Sequence, residues 1–150
     1  MPIRSKRPRN ATAEQDAAQD EPGERADSLP SDPKRMRRLH SDVRVLLRFI
    51  RVYCEGQHSQ ATRRPTQLPT GALRALCPAP PSLCDECRKL LMHAIVKRCR
   101  CPMDPKPACK HCPDHCYAPR YRRQIRKVMG YSGRKLVLSG RLDYLLHLWR

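Results

Sequence analysis

The chain has 150 residues, a formal charge of +17, 15 prolines, and a single Phe (Phe49) and a single Trp (Trp149). That composition excludes a large apolar core, and a small domain of this kind needs a staple, either disulfides or a metal. No stretch approaches the roughly 18 apolar residues of a membrane span, and the charged residues 1–7 are not followed by the apolar run of a secretory signal. The expectation is a cytoplasmic protein with no membrane association. In that setting clustered cysteines bind metal or exchange electrons before they form structural disulfides, and the odd count of nine argues the same way.

Residues 1–40 read as a disordered, charged tail. Five prolines interrupt it, large apolar residues are scarce, and its charge runs basic, acidic and basic again. Residues 41–150 read as one cysteine-rich helical domain. Its first helix starts near Ser41, with Ser41 or Asp42 as N-cap. Val43, Leu46, Leu47, Ile50 and Tyr53 form the apolar face, and Gly56 marks the end. Residues 59–82 hold Pro65, Pro69, Pro78, Pro80 and Pro81 and read as an inserted loop. A second helix opens at Cys84-Asp85-Glu86-Cys87 with Leu90, Leu91, Ala94 and Ile95 on its apolar side, and Pro102 and Pro105 lie beyond its end. A cysteine-rich turn spans residues 101–116. Pro119 suits the first position of a third helix, with Tyr121, Ile125, Val128 and Met129 inward and a break at Gly130 and Gly133. A fourth helix is expected over 138–149, with Ser139 as cap and Leu142 and Leu145 inward. The fold class is therefore all-α, about four short helices held by metal.

The cysteine spacing carries the chemistry. Cys84-x2-Cys87-x13-Cys101-x7-Cys109-x2-Cys112-x3-Cys116 places six thiols within one short segment. A closed tetrahedral zinc site takes four nitrogen or sulfur donors, so six are too many for one site and too few for two. Cys54 and His58 stand at i and i+4 near the end of the first helix and supply the missing pair. Eight donors then serve two ions: Cys54, His58, Cys84, Cys87, Cys101, Cys109, Cys112 and Cys116. One partition puts the first four on one ion and the last four on the other. Zinc is the expected metal. An iron–sulfur cluster is the alternative, because the 109–116 spacing partly echoes ferredoxin-type runs. Cys77 and Cys99 fall outside the pattern. His111 and His115 lie within the cluster, and His40, His93 and His147 show no ligand spacing.

At these residues the chain resembles the nitrous oxide-stimulated promoter family. The matching strings are Tyr53-Cys54-x3-His58, Leu83-Cys84-Asp85-Glu86-Cys87, Cys101-Pro102 and Lys106-Pro107-Ala108-Cys109-Lys110-His111-Cys112-Pro113-Asp114-His115-Cys116-Tyr117, followed by Ile125-Arg126-Lys127-Val128-Met129 and Tyr131-Ser132-Gly133. The resemblance covers roughly residues 43–150. It implies a small bacterial cytoplasmic protein tied to nitrogen-oxide exposure and tolerance of nitrosative stress, with no established biochemical activity. The family name describes regulation of the gene and implies no DNA binding. Three features depart from the family pattern. The 59–82 segment replaces a short connection, Gly133-Arg134-Lys135-Leu136 lacks the family's proline, and the 101–109 turn looks one residue shorter.

The residues therefore point to a metal-binding protein of nitrosative stress, which senses, scavenges or buffers through its thiols. The alternative is a nucleic-acid-binding zinc module. Two divalent ions against seven thiolates leave the chain strongly basic, which favours acidic partners, nucleic acid first. Arg120, Arg122, Arg123, Arg126 and Lys127, beside Tyr121, are the candidate phosphate contacts. An enzyme is the weaker reading. His115 and Cys116 are adjacent and lack an orienting third group, and Cys84-x2-Cys87 lacks the strand context of a thioredoxin-like site.

Overall fold

A computed structural model describes residues 29–68, 71–103, 106–107 and 109–140. The chain forms helix α1 (Pro33–Gln57), strand β1 (Arg64–Pro65), helix α2 (Gly71–Leu76), strand β2 (Ser82–Leu83), helix α3 (Asp85–Cys99), a single 3-10 turn (Cys109–His111) and helix α4 (Pro119–Leu138). The all-α class holds. The reading of residues 1–28 as a disordered tail and the expected last helix over 138–149 lie outside the described residues, apart from 138–140.

Helix α1 starts eight residues before Ser41. Pro33 occupies the first turn, where its missing N–H costs nothing, and the Asp32 carboxylate accepts a 2.8 Å hydrogen bond from the Arg35 backbone N–H. The extra turns add Leu39 to the inward line Leu39, Val43, Leu46, Ile50. Helix α3 runs antiparallel to α1. Arg98 at the end of α3 bonds the Asp42 carboxylate at 2.5 Å, and the Cys84–Cys87 end meets Cys54 and His58.

Helix α4 continues through Gly130 and Gly133, so the break expected there does not occur. Glycine inside a helix costs about 1 kcal/mol relative to alanine. Packing of small residues against α1 offsets it. Ser132 is fully buried and donates a 2.6 Å hydrogen bond from Oγ to the Phe49 carbonyl, which needs close approach of the two helices. On the other side of the contact, a Cβ at Gly56 would collide with the Tyr131 phenol, so any side chain there would displace that ring.

The 59–82 segment is more ordered than a proline-rich loop. Strands β1 and β2 pair antiparallel, Arg64 opposite Leu83 and Pro65 opposite Ser82. Thr66 reinforces the join, its Oγ donating to the Pro81 carbonyl at 2.7 Å. Helix α2 sends Leu73 and Leu76 into the core beside Leu68 and Cys77. The short ladder buries Leu83 and delivers Cys84 to the first position before α3. One core thus unites α1, α2, α3 and α4 around Phe49, Ile50, Leu73, Leu91, Ile95 and Val128.

Candidate metal centre

Cys54, His58, Cys84 and Cys87 converge where the end of α1 meets the start of α3. One donor atom from each lies within 4.8 Å of all the others. Cys54 and His58 arrive together because residues four apart share a helix face, and the α1 helix ends on the His58 N–H, which bonds the Cys54 carbonyl at 3.1 Å. Cys84 is the N-cap of α3, and Cys87 follows one turn later on the inward side. The His58 Nδ1 stands 3.2 Å from Cys84 Sγ and 3.3 Å from Cys87 Sγ. Zinc bonds of about 2.3 Å to sulfur and 2.0 Å to nitrogen set tetrahedral donors roughly 3.5–3.8 Å apart, so this group fits a zinc-sized ion.

The surroundings are those of a held donor set. The Cys84 backbone N–H points at Cys54 Sγ over 3.4 Å and orients that sulfur. Cys54, Cys84 and Cys87 are buried, whereas His58 is partly exposed. Burial pushes the Cys87 thiol well up, and the neighbouring Cys54 and Cys84 sulfurs add to it. The Cys87 thiol therefore stays protonated unless a cation takes the place of the proton.

Sequence reasoning missed the outer partners. The His58 Nε2 faces the Glu86 carboxylate at 3.9 Å, and Glu86 in turn accepts a hydrogen bond from the Gln124 amide of α4. A carboxylate behind the ring fixes the tautomer that turns Nδ1 toward a metal. The Tyr53 ring packs edge-on to His58 at 5.4 Å and to Tyr131 at 5.7 Å, which limits how far the imidazole can rotate. Burial, then the Cys87 and Glu86 charges, pushes the Tyr53 phenol up. Glu86 lies inside the Cys-x2-Cys string, and its role was hidden only because its partner His58 is 28 residues earlier.

The other four expected ligands behave differently. Among the described residues, Cys101, Cys109, Cys112 and Cys116 do not gather within the same 4.8 Å limit. They remain neighbours: burial pushes the Cys116 thiol up, and Cys109 and Cys101 push it further. The Cys112 thiol donates to the Asp114 carbonyl at 3.1 Å. Cys109 and Cys116 are exposed. Cys77 fills the core beside α2, and Cys99 is partly buried at the end of α3. His93 is buried and stacks on Tyr121 with ring centroids 4.1 Å apart, a packing role.

Arg120, Arg122, Arg123, Arg126 and Lys127 are all exposed on α4. They do not share one face. Arg122 and Arg126 lie near His115 in the cysteine turn, and their charges add to the burial that lowers its pKa. At 100° per residue, Arg120, Arg123 and Lys127 point away from that side.

The fold and the site define a class: small helical proteins whose first and third helices are joined at one end by a three-cysteine, one-histidine group able to hold a metal ion. The chain belongs to the nitrous oxide-stimulated promoter family, whose model matches residues 37–150. It is 31% identical over 76 residues to the uncharacterized protein YgbA of Escherichia coli strain K12. That alignment covers 50% of this chain and 65% of the relative. No solved structure matches the chain. Among the described residues, no helix is long and apolar enough to cross a membrane.

Proposed function

We propose that the protein is a zinc-binding protein of the cytoplasmic response to nitrosative stress, and that the Cys54, His58, Cys84 and Cys87 group is its reactive centre. The convergence of those four donors carries the reading. A bound zinc ion would hold the three sulfurs as thiolates, their nucleophilic form. The donors are not equally sheltered. Cys84 and His58 line a cleft of about 400 Å³, together with Gln57, Ser59, Gln60, Ala61 and Glu86, while Cys54 and Cys87 stay behind in the core. A small nitrosating molecule thus meets Cys84 first. The Cys84 sulfur takes the nitrosonium group of a low-molecular-mass nitrosothiol, whose own sulfur leaves as a thiolate. The nitrosated sulfur is neutral and a poor ligand, so the donor set opens at the cleft. The family description supports the nitrogen-oxide setting.

A second zinc ion belongs to the same proposal, held by Cys101, Cys109, Cys112 and Cys116. The mutual influence of Cys101, Cys109 and Cys116 supports it. Closing that site needs the exposed Cys109 and Cys116 to turn inward, so it would be the weaker of the two.

Elemental analysis of anaerobically purified full-length protein tests the metal, and a chromophoric chelator reports its release by a nitrosothiol. The expected results are colourless protein with two zinc ions per chain and release of zinc with modification of Cys84. Iron and sulfide in place of zinc would replace zinc by a cluster. Full metal retention with unmodified thiols would remove the nitrosative role.

A further inference from the structure

Helix α1 has a second face that the metal centre does not use. Leu39, Val43, Leu46, Ile50 and Cys54 face the core. At 100° per residue, Lys34, Arg37, Arg44 and Arg48 fall on the opposite side, within an arc of about 80°. All four are exposed. They form a straight ridge about 21 Å long at a rise of about 1.5 Å per residue.

Nothing acidic interrupts this ridge. The carboxylates of α1 are Asp42 and Glu55. Asp42 turns to the core side, where Arg98 and Lys106 take it at 2.5 Å and 3.9 Å. Glu55 pairs with Arg51 at 2.7 Å and so closes the ridge at its far end. Among the described residues, Lys34, Arg37, Arg44 and Arg48 have no carboxylate within ion-pair distance. Like charges three and four residues apart, such as Arg44 and Arg48, destabilise an isolated helix. So does positive charge near a helix N-terminus, where Lys34 and Arg37 sit. A partner that supplies regularly spaced anions would turn both costs into binding energy.

We propose that the outer face of α1 docks against the phosphate backbone of duplex nucleic acid. Each strand of B-DNA carries a phosphate about every 3.4 Å along the axis, so about six phosphates pass along the length of the ridge. The ridge is one rod meeting another, and the 12 Å major groove is wide enough to admit a helix. Helix α4 carries a comparable outer line, Arg120, Arg123, Lys127 and Arg134, all exposed within an arc of about 60°, so it is the rival surface that the second variant below addresses. A membrane surface fits poorly, because an interfacial helix buries its apolar face in lipid, and in α1 that face is committed to the core. The contact is to backbone phosphates, so it carries no base preference.

Fluorescence anisotropy with a labelled mixed-sequence DNA duplex and the full-length chain tests the assignment. Four phosphate contacts predict a salt slope near −3.6, or about a hundredfold loss of affinity between about 50 and 200 mM salt. The double variant Arg44→Gln/Arg48→Gln should halve the slope and reduce that loss to about tenfold. Both positions are exposed, so the variant should keep the wild-type circular dichroism and metal content. Arg120→Gln/Arg123→Gln/Lys127→Gln should bind as the wild type does. No binding at low salt, an unchanged slope in the α1 variant, loss of binding only in the α4 variant, or tighter binding to phosphatidylserine vesicles than to duplex would each overturn the proposal.

Discussion

Replacing Glu86 by Gln removes one negative charge from behind His58 and keeps the side chain's shape. The Glu86 oxygen and His58 Nε2 are 3.9 Å apart. A ligating imidazole is neutral, so the carboxylate meets the positive end of its Nε2–H dipole, an attraction smaller than the roughly 1 kcal/mol of two unit charges at that distance in water. The Glu86 side chain is 52% exposed and that of His58 is 23% exposed, so the watery limit applies. The loss is therefore at most about 1 kcal/mol, or up to about fivefold in metal affinity. That is below the 10–100-fold typical of a fully formed outer-sphere bond. Competition against a chromophoric zinc chelator at pH 7 measures it directly. Glu86→Gln should bind zinc more weakly by up to about fivefold, and Gln124→Ala, which only steadies the carboxylate, should weaken it less. His58→Ala should abolish tight binding at this site. If His58→Ala abolishes binding while Glu86→Gln leaves the affinity unchanged, the carboxylate does not orient the imidazole and the reasoning fails.

Four further outcomes follow from the packing. Leu73→Ala on α2 should cost about 2–5 kcal/mol, read as a lower urea midpoint, because Leu73 is fully buried; a loop residue would cost almost nothing. Ser132→Ala should cost about 1 kcal/mol through the lost bond to the Phe49 carbonyl, whereas Ser132→Val should cost more by forcing α1 and α4 apart, and thermal melts distinguish the two. Burial pushes the Cys77 thiol above its ordinary value, so the folded state holds that proton longer than the unfolded state does. The stability it contributes is complete below pH 9 and falls as pH rises further, and Cys77→Ala should flatten that decline in urea titrations. In metal-free protein at pH 8, iodoacetamide should label the exposed Cys109 well before Cys77, as peptide mass mapping will show.

The spacing of Cys54, His58, Cys84 and Cys87 made two donor pairs legible, because i, i+4 and Cys-x2-Cys pairs become neighbours on any helix, whereas the expected Cys101, Cys109, Cys112 and Cys116 set does not gather among the described residues. What joins the pairs is tertiary and has no local signature. Nothing near Glu86 announces His58, and nothing near Ser132 announces the Phe49 carbonyl. The helix boundaries failed in two opposite ways. Pro33 and its charged neighbours looked like tail, yet a proline in the first turn and an Asp32 cap begin a helix that Leu39 anchors. Gly130 and Gly133 looked like breaks, yet α4 runs through both, and the small buried Ser132 lets it lie close against α1. Helix α2 was hidden because prolines on both sides of Gly71-Ala72-Leu73-Arg74-Ala75-Leu76 dominate the composition of the segment. Nor does charge pattern alone reveal that Asp42 turns to Arg98 and away from the outer arginines of α1.

The bond between Thr66 and the Pro81 carbonyl, set beside the β1–β2 ladder, fastens the two ends of the inserted segment to each other before the chain reaches Cys84. The segment between them is therefore a pinned ring, and its length is decoupled from the position of the sulfur. Doubling the length of such a ring adds only about 0.6 kcal/mol of closure entropy. The exposed stretch around Pro78 and Ala79 thus offers a graft point, where a peptide tag or a reporter domain can be spliced into the chain with the donor group left in place.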